Sequence, residues 1–226
     1  MAQQLSFDLP VREGVGRADF YVAPSNAMAV ALIDSSPDWP TPHVVLTGPE
    51  GAGKTHLAHV WATAQGAKIL SARALADADI EALANGPLAV EDIPDIANDT
   101  AALTALFHLF NLARQNRQPL LLTGRGAPNH WGLCLADIQS RIEGCYHVTL
   151  EAPDDVLLAM VLGKLFTDRQ ITPKADVIPY LVRHMERSFA AARDIVAALD
   201  KRSLDEGRTL SRKLAADLIG LEGEKR

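Results

Sequence analysis

The residues best placed to do chemistry are Gly48-Pro49-Glu50-Gly51-Ala52-Gly53-Lys54-Thr55. They follow an apolar run, His43 to Thr47, and lead into His56-Leu57-Ala58-His59-Val60-Trp61-Ala62, which reads as a helix. A strand, a glycine-rich turn ending in Gly-Lys-Thr and a helix are the three parts of a phosphate-binding P-loop. The glycines allow backbone angles and close approaches that a Cβ would obstruct. The N–H groups of the loop, up to His56, and the positive end of the helix then face anionic oxygens. With ADP or ATP as the ligand, Lys54 is expected to reach the β phosphate and, in ATP, the γ phosphate, and the Thr55 hydroxyl to ligate Mg²⁺.

A P-loop needs an acid at the end of a neighbouring strand to hold the metal. Leu88-Ala89-Val90-Glu91-Asp92 is an apolar run ending in two carboxylates. Glu91 is assigned to the Mg²⁺ side and Asp92 to an attacking water, as a base. Thr123, at the tip of the following strand, places a hydroxyl near the terminal phosphate or serves as an ordinary β-former. Arg141, on a polar helix face, reads as a solvated surface arginine or as a finger towards a second protein's nucleotide. Arg187 and Arg193, further on, could each reach the phosphates from a lid. His56 and His59 share a helix face without a third ligand, which reads as partly exposed histidines more than a metal site.

The elements that must position these residues are legible from pattern. The strand-like runs at His43–Thr47, Ala67–Leu70, Leu88–Asp92, Pro119–Gly124 and Tyr146–Leu150 alternate with helical stretches at Arg73–Ala84, Thr100–Arg117 and Leu133–Glu143. Strands apolar on both faces and alternating with helices predict a parallel five-stranded sheet covered on both sides. Ser25 or Asn26 is suited to cap a helix starting at Ala27. From Pro153 onward no strand-like run occurs, and helices are expected at Asp154–Arg169, Pro173–Glu186, Phe189–Glu206 and Ser211–Leu221. The predicted organisation is therefore a tail over 1–17, an α/β nucleotide-binding domain over 18–152 and a helical lid over 153–226. In the tail, Gln4 to Pro10 alternates apolar and polar residues, so Leu5, Phe7 and Leu9 form either a docking peptide or an edge strand laid on the domain.

With 226 residues, 48% hydrophobic and 22% charged, the composition is that of an ordinary globular protein. A net charge of −6 argues against a protein held mainly by nucleic-acid phosphate. Cys134 and Cys145 make no metal-ligand pattern or disulfide framework, and no apolar run reaches transmembrane length. Those features predict a soluble cytoplasmic protein with reduced thiols.

Taken together, these motifs resemble the AAA+ family of P-loop NTPases, in which a sheet domain precedes a helical lid, and within it the DnaA branch. Asp19-Phe20-Tyr21-Val22 with Ser25-Asn26 is similar to that branch's motif near the adenine, so Phe20 joins the expected nucleotide contacts. Gly53-Lys54-Thr55-His56-Leu57 looks like its P-loop ending, Leu122-Thr123-Gly124 its sensor 1, and Asp137-Ile138-Gln139-Ser140-Arg141-Ile142 its arginine-finger motif. The chain ends before the DNA-binding domain of DnaA would fit. What remains resembles the Hda family, whose Gln-Leu-x-Leu-x-Leu clamp motif is matched here by Gln4-Leu5-Ser6-Phe7-Asp8-Leu9. That resemblance implies a nucleotide-bound adaptor that docks on the DNA-polymerase sliding clamp through Gln4, Leu5, Phe7 and Leu9. It further implies that the adaptor stimulates hydrolysis of ATP bound to DnaA, with Arg141 as a finger in trans. Two departures bear on catalysis: Glu91-Asp92 stands where AAA+ ATPases have Asp-Glu, and Gly124-Arg125-Gly126 follows sensor 1 where relatives often place an acid. The first points to little intrinsic turnover; the second assigns Arg125 no role. An ungapped match puts Ala190 at the sensor 2 position, whereas the local pattern with a gap selects Arg193. The alternative reading is a self-contained AAA+ ATPase that loads a clamp or a helicase.

Overall fold

The computed structural model describes residues 21–36, 38–206 and 209–223. Phe20 and the segment containing Gln4, Leu5, Phe7 and Leu9 lie outside the described residues. The first helix, α1 (Ala27–Asp34), precedes strand β1 (His43–Thr47) and helix α2 (Lys54–Gln65). Then come β2 (Lys68–Ser71), α3 (Ile80–Leu83), β3 (Leu88–Glu91), α4 (Thr100–Gln115), β4 (Leu120–Gly124), α5 (Ala136–Glu143) and β5 (Tyr146–Thr149). The chain continues through α6 (Asp155–Asp168), α7 (Val177–His184), α8 (Phe189–Glu206) and α9 (Arg212–Gly223).

The five strands form one parallel sheet in the order β2-β3-β4-β1-β5. Successive side chains on a strand point to opposite faces, and both faces are apolar here. Val45, Val90, Leu120 and Leu122 join the core beneath α4 and α5. Val44, Leu46, Ala89, Leu121 and Val148 join a second core shared with α1 and α2. The helices from α6 onward carry a third core of their own, built on Leu158, Leu162, Phe166, Leu181, Ile195, Val196 and Leu214.

Several local expectations are corrected by named contacts. The metal-side acids were placed on a strand neighbouring β1; in the sheet β4 separates β3 from β1. Sequence periodicity carries no strand order, so that separation was invisible to it. The stretch 73–84 is not one helix. It is a 3₁₀ segment, Ala72–Asp77, and then α3, divided where Asp79 turns extended and accepts the Ala82 N–H at 3.0 Å as an N-cap. The helix expected from Leu133 starts at Ala136 because Leu133 and Cys134 are drawn out, their N–H groups donating to Gln139 Oε1 and Ala97 O. The helix expected from Pro173 starts at Val177, since the Lys174 N–H donates to Leu210 O instead. Asn26 precedes α1 as expected but makes no capping bond to it. Its Oδ1 accepts from the Ala23 N–H at 2.8 Å and its Nδ2 donates to Tyr21 O at 2.9 Å, so it ties down the segment leading into the helix. At α6, by contrast, Asp154 caps as its type predicts, accepting the Leu157 N–H at 2.8 Å.

Candidate functional site

The C-terminal ends of the parallel strands are where such sheets gather ligands, and the candidate residues converge there. β1 passes into the P-loop and then into α2, whose N-cap is Gly53. Gly51 at φ +71° and Gly53 at φ +96° occupy the left-handed region, which only glycine enters without cost. Space forbids a side chain as well. A Cβ on Gly51 would lie 2.4 Å from Ser188 Cβ, and one on Gly53 would lie 2.8 Å from the Phe189 ring. The Phe189 N–H also donates to Gly51 O at 3.0 Å. The first turn of α8 is thus seated on the phosphate loop, joining the helical region to the site. Neither Ser188 nor Phe189 was singled out in sequence, because residues at a helix start carry no signal of what they will cover.

Lys54 is buried, and its ammonium donates to Gly48 O at 2.9 Å and Pro49 O at 2.8 Å. An ammonium has three donors, so the loop's own carbonyls aim it and leave one for a ligand. Burial lowers its pKa from the ordinary 10.5; Asp92, Glu50 and Glu91 oppose that shift, and Arg125 adds to it. The same charges define the surroundings of the site. Thr55 is exposed at the start of α2.

Glu91 and Asp92 behave differently. Glu91 is half-buried, and its Oε1 is out of contact with solvent without a hydrogen-bond partner. A buried oxygen of that kind is costly unless something completes it, and a cation fits the donor set offered by Glu91 and Thr55. Among the described residues no three His, Cys, Asp or Glu side chains gather into a metal cluster. A P-loop metal needs none, because the nucleotide supplies phosphate oxygens. Asp92 adopts left-handed angles, φ 57° and ψ 51°, and its N–H donates to Thr123 Oγ1 at 3.2 Å. Thr123 is buried. Its hydroxyl ties the tips of β3 and β4 together, a positioning role that the sequence reading did not foresee.

The remaining predicted residues are more dispersed. The Arg141 guanidinium, in the last turn of α5, stacks over the Phe107 ring of α4 at 5.0 Å. Among the described residues no hydrogen bond joins that guanidinium to the chain's own P-loop. Arg193 is exposed on α8, one turn beyond Phe189. Arg187 pairs with Asp155 at the start of α6. Arg125 forms an ion pair with Glu50 of the P-loop at 2.8 Å, a contact between segments far apart in sequence.

With this geometry in place, the chain is similar in fold to solved structures of replication initiators. Domain III of the Thermotoga maritima replication initiation protein DnaA superposes with a TM-score of 0.76 at 16% identity, covering 93% of this chain and 97% of that one. AMPPCP-bound DnaA from Aquifex aeolicus matches with a TM-score of 0.70 at 18% identity, over 81% of this chain and 64% of that one. The chain shares the fold of these DnaA structures, a parallel five-stranded sheet covered by helices. A variant of Thermotoga maritima RuvB also matches, with a TM-score of 0.67 at 16% identity over 87% of this chain and 68% of that one. No protein-family model matches the chain. This chain spans 64% of the length of the Aquifex aeolicus DnaA structure, so a shared fold does not bring that protein's full activity with it.

Proposed function

We propose that the chain is an adenine-nucleotide-bound regulator of DNA replication initiation, of the type that the resemblance to Hda implies. In this reading Gln4, Leu5, Phe7 and Leu9 dock on the DNA-polymerase sliding clamp, and Arg141 is presented to ATP bound by DnaA. The nucleotide seat is formed by Gly48 to His56, with Phe20, Thr123 and Arg193 as further contacts. Thr55 and Glu91 hold Mg²⁺. A bound metal ion neutralises phosphate charge; the protein's own part is to aim Lys54, keep Glu91 uncompensated and seal the loop with Phe189.

The observation that carries the reading is the separation of two functions. The charges of Glu91 and Asp92 act on the Lys54 ammonium, while the Arg141 guanidinium is stacked on Phe107. An arginine so placed is of use to a neighbour's nucleotide. The Glu91-Asp92 order and the left-handed Asp92 agree with a seat that retains nucleotide more than one that turns it over. The deciding experiment is a pull-down with the sliding clamp, with and without ADP, followed by a DnaA ATPase assay. Replacing Gln4 and Leu5 by Ala is expected to abolish clamp binding and leave nucleotide binding intact. Unchanged clamp affinity would remove the docking role. Robust ATP turnover by the chain alone, with assembly into rings, would favour the alternative reading as a loader.

A further inference from the structure

We infer that Arg125 is a phosphate-reading cation of the nucleotide site, held by Glu50 until the terminal phosphate of a nucleoside triphosphate competes for it. The inference rests on the reading of Gly48 to Thr55 as an adenine-nucleotide seat.

Position comes first. Arg125 directly follows β4, which is hydrogen-bonded to β1, with Gly124 in register with Thr47. Thr47 immediately precedes the P-loop, so the sheet fixes Arg125 beside the loop's entrance. Its guanidinium Nη1 lies 2.8 Å from Oε2 of Glu50, the third residue of the loop. β4 lies between β1 and β3. Arg125 therefore stands on the flank where β3 presents Glu91 and Asp92, the flank of the metal and the terminal phosphate.

The backbone beneath Arg125 is rooted. The indole Nε1 of buried Trp131 donates to Arg125 O at 2.8 Å and to Gly126 O at 3.1 Å. Gly124 has no room for a side chain, since a Cβ there would meet the Trp131 ring at 2.4 Å and Pro94 Cδ at 2.9 Å. Above that root the paired side chains face solvent: Arg125 and Glu50 are 60% and 75% exposed. An exposed pair of this kind is weakly held. A guanidinium forms paired hydrogen bonds with phosphate as readily as with carboxylate, and a terminal phosphate carries more charge than Glu50. Partner exchange follows. Glu50 is otherwise an oddity, a negative charge on a loop whose ligand is negative. Paired with Arg125 it is neutralised at rest, and its release gives the site a dependence on the terminal phosphate that Lys54 alone does not supply. The fields of both side chains already reach the Lys54 ammonium.

The test uses the full chain and equilibrium binding of Mg·ATP and Mg·ADP to the wild type, Arg125→Ala, Glu50→Gln and the double variant. Thermal unfolding without nucleotide reports whether each is folded. Arg125→Ala is expected to weaken ATP binding about tenfold while ADP binding changes less than about threefold, the scale of one charge-assisted contact. Glu50→Gln is expected to tighten ATP binding. In the Glu50→Gln background, removal of Arg125 is still expected to cost about tenfold for ATP. Equal loss for both nucleotides, or a double variant as tight as Glu50→Gln alone, overturns the inference; in the second case Arg125 only masks Glu50. A wild type that binds neither nucleotide overturns the seat itself. Intact ATP binding lost in Lys54→Ala but unchanged in Arg125→Ala overturns only the role of Arg125.

Discussion

At the scale of single residues, charge placement separates Lys54 from Arg141. Lys54 is aimed by two carbonyls of its own loop and faces three carboxylates and Arg125. Lys54→Ala is therefore expected to abolish measurable binding of ADP and ATP, whereas Arg141→Ala retains it. In a DnaA ATPase assay with clamp present, Arg141→Ala is expected to lose stimulation, by about 10³-fold if it acts as arginine fingers do; full stimulation would remove the finger role. A second residue-scale prediction concerns pH. His43 is 3% exposed, its Nε2 lacks a partner, and its ring meets Phe110 edge-on at 4.2 Å. Burial, aided by the charge of Arg114, lowers its pKa from 6.5 to about 4. The unfolded chain then binds a proton below about pH 6.5 that the folded chain refuses until about pH 4, so stability falls as pH falls through that window. A shift of this size corresponds to about 3 kcal/mol at most. Denaturant titrations from pH 7 to pH 4 are expected to show a smaller loss for His43→Leu than for the wild type. Equal losses would mean that His43 is protonated within the fold.

At the scale of elements, the junction between the P-loop and the start of α8 matters most. Gly51 has a left-handed φ and Ser188 Cβ directly against it, and the Phe189 N–H bonds to its carbonyl. Gly51→Ala is expected to cost about 1–3 kcal/mol and to push α8 off the loop. Chemical denaturation would measure the first effect, and faster hydrogen exchange at the start of α8 would report the second. Stability lost without any change in exchange there would show that the loop itself absorbs the strain. The helices themselves were largely readable. α8 runs over Phe189–Glu206 as its pattern predicts, and α6 begins after the capping Asp154. Two of the corrected boundaries, at the starts of α5 and α7, share one cause. At Cys134 and Lys174 the backbone N–H groups bond to Ala97 O and Leu210 O, partners distant in sequence, and those bonds outcompete local helix propensity.

For the whole molecule, three cores hold the fold: two on the faces of the sheet and a third among α6 to α9. Because α8 rests on the P-loop, a ligand held there binds the folded state and is linked to its stability. Saturation with ADP at about a hundred times its dissociation constant is expected to add about 2.7 kcal/mol and raise the Tm. An unchanged Tm in the wild type under saturating ADP would count against the nucleotide seat. Among the described residues no helix is long and apolar enough to cross a membrane.

The amino-acid sequence by itself determined the alternation of strands and helices, the glycine-rich loop after β1 and the identity of its lysine. It also supplied the acids at the end of β3. Each of these is written in local spacing, where period-2 and period-3.6 patterns and glycine positions act over a few residues. Only the tertiary structure decided that β4 stands between β1 and β3, and that Thr123 therefore ties to Asp92 and Arg125 to Glu50. It likewise decided that Ser188 and Phe189 cover Gly51 and Gly53. Strand order depends on how apolar faces are shared across the whole sheet, and such pairings join residues separated by tens of positions. No local pattern carries that information.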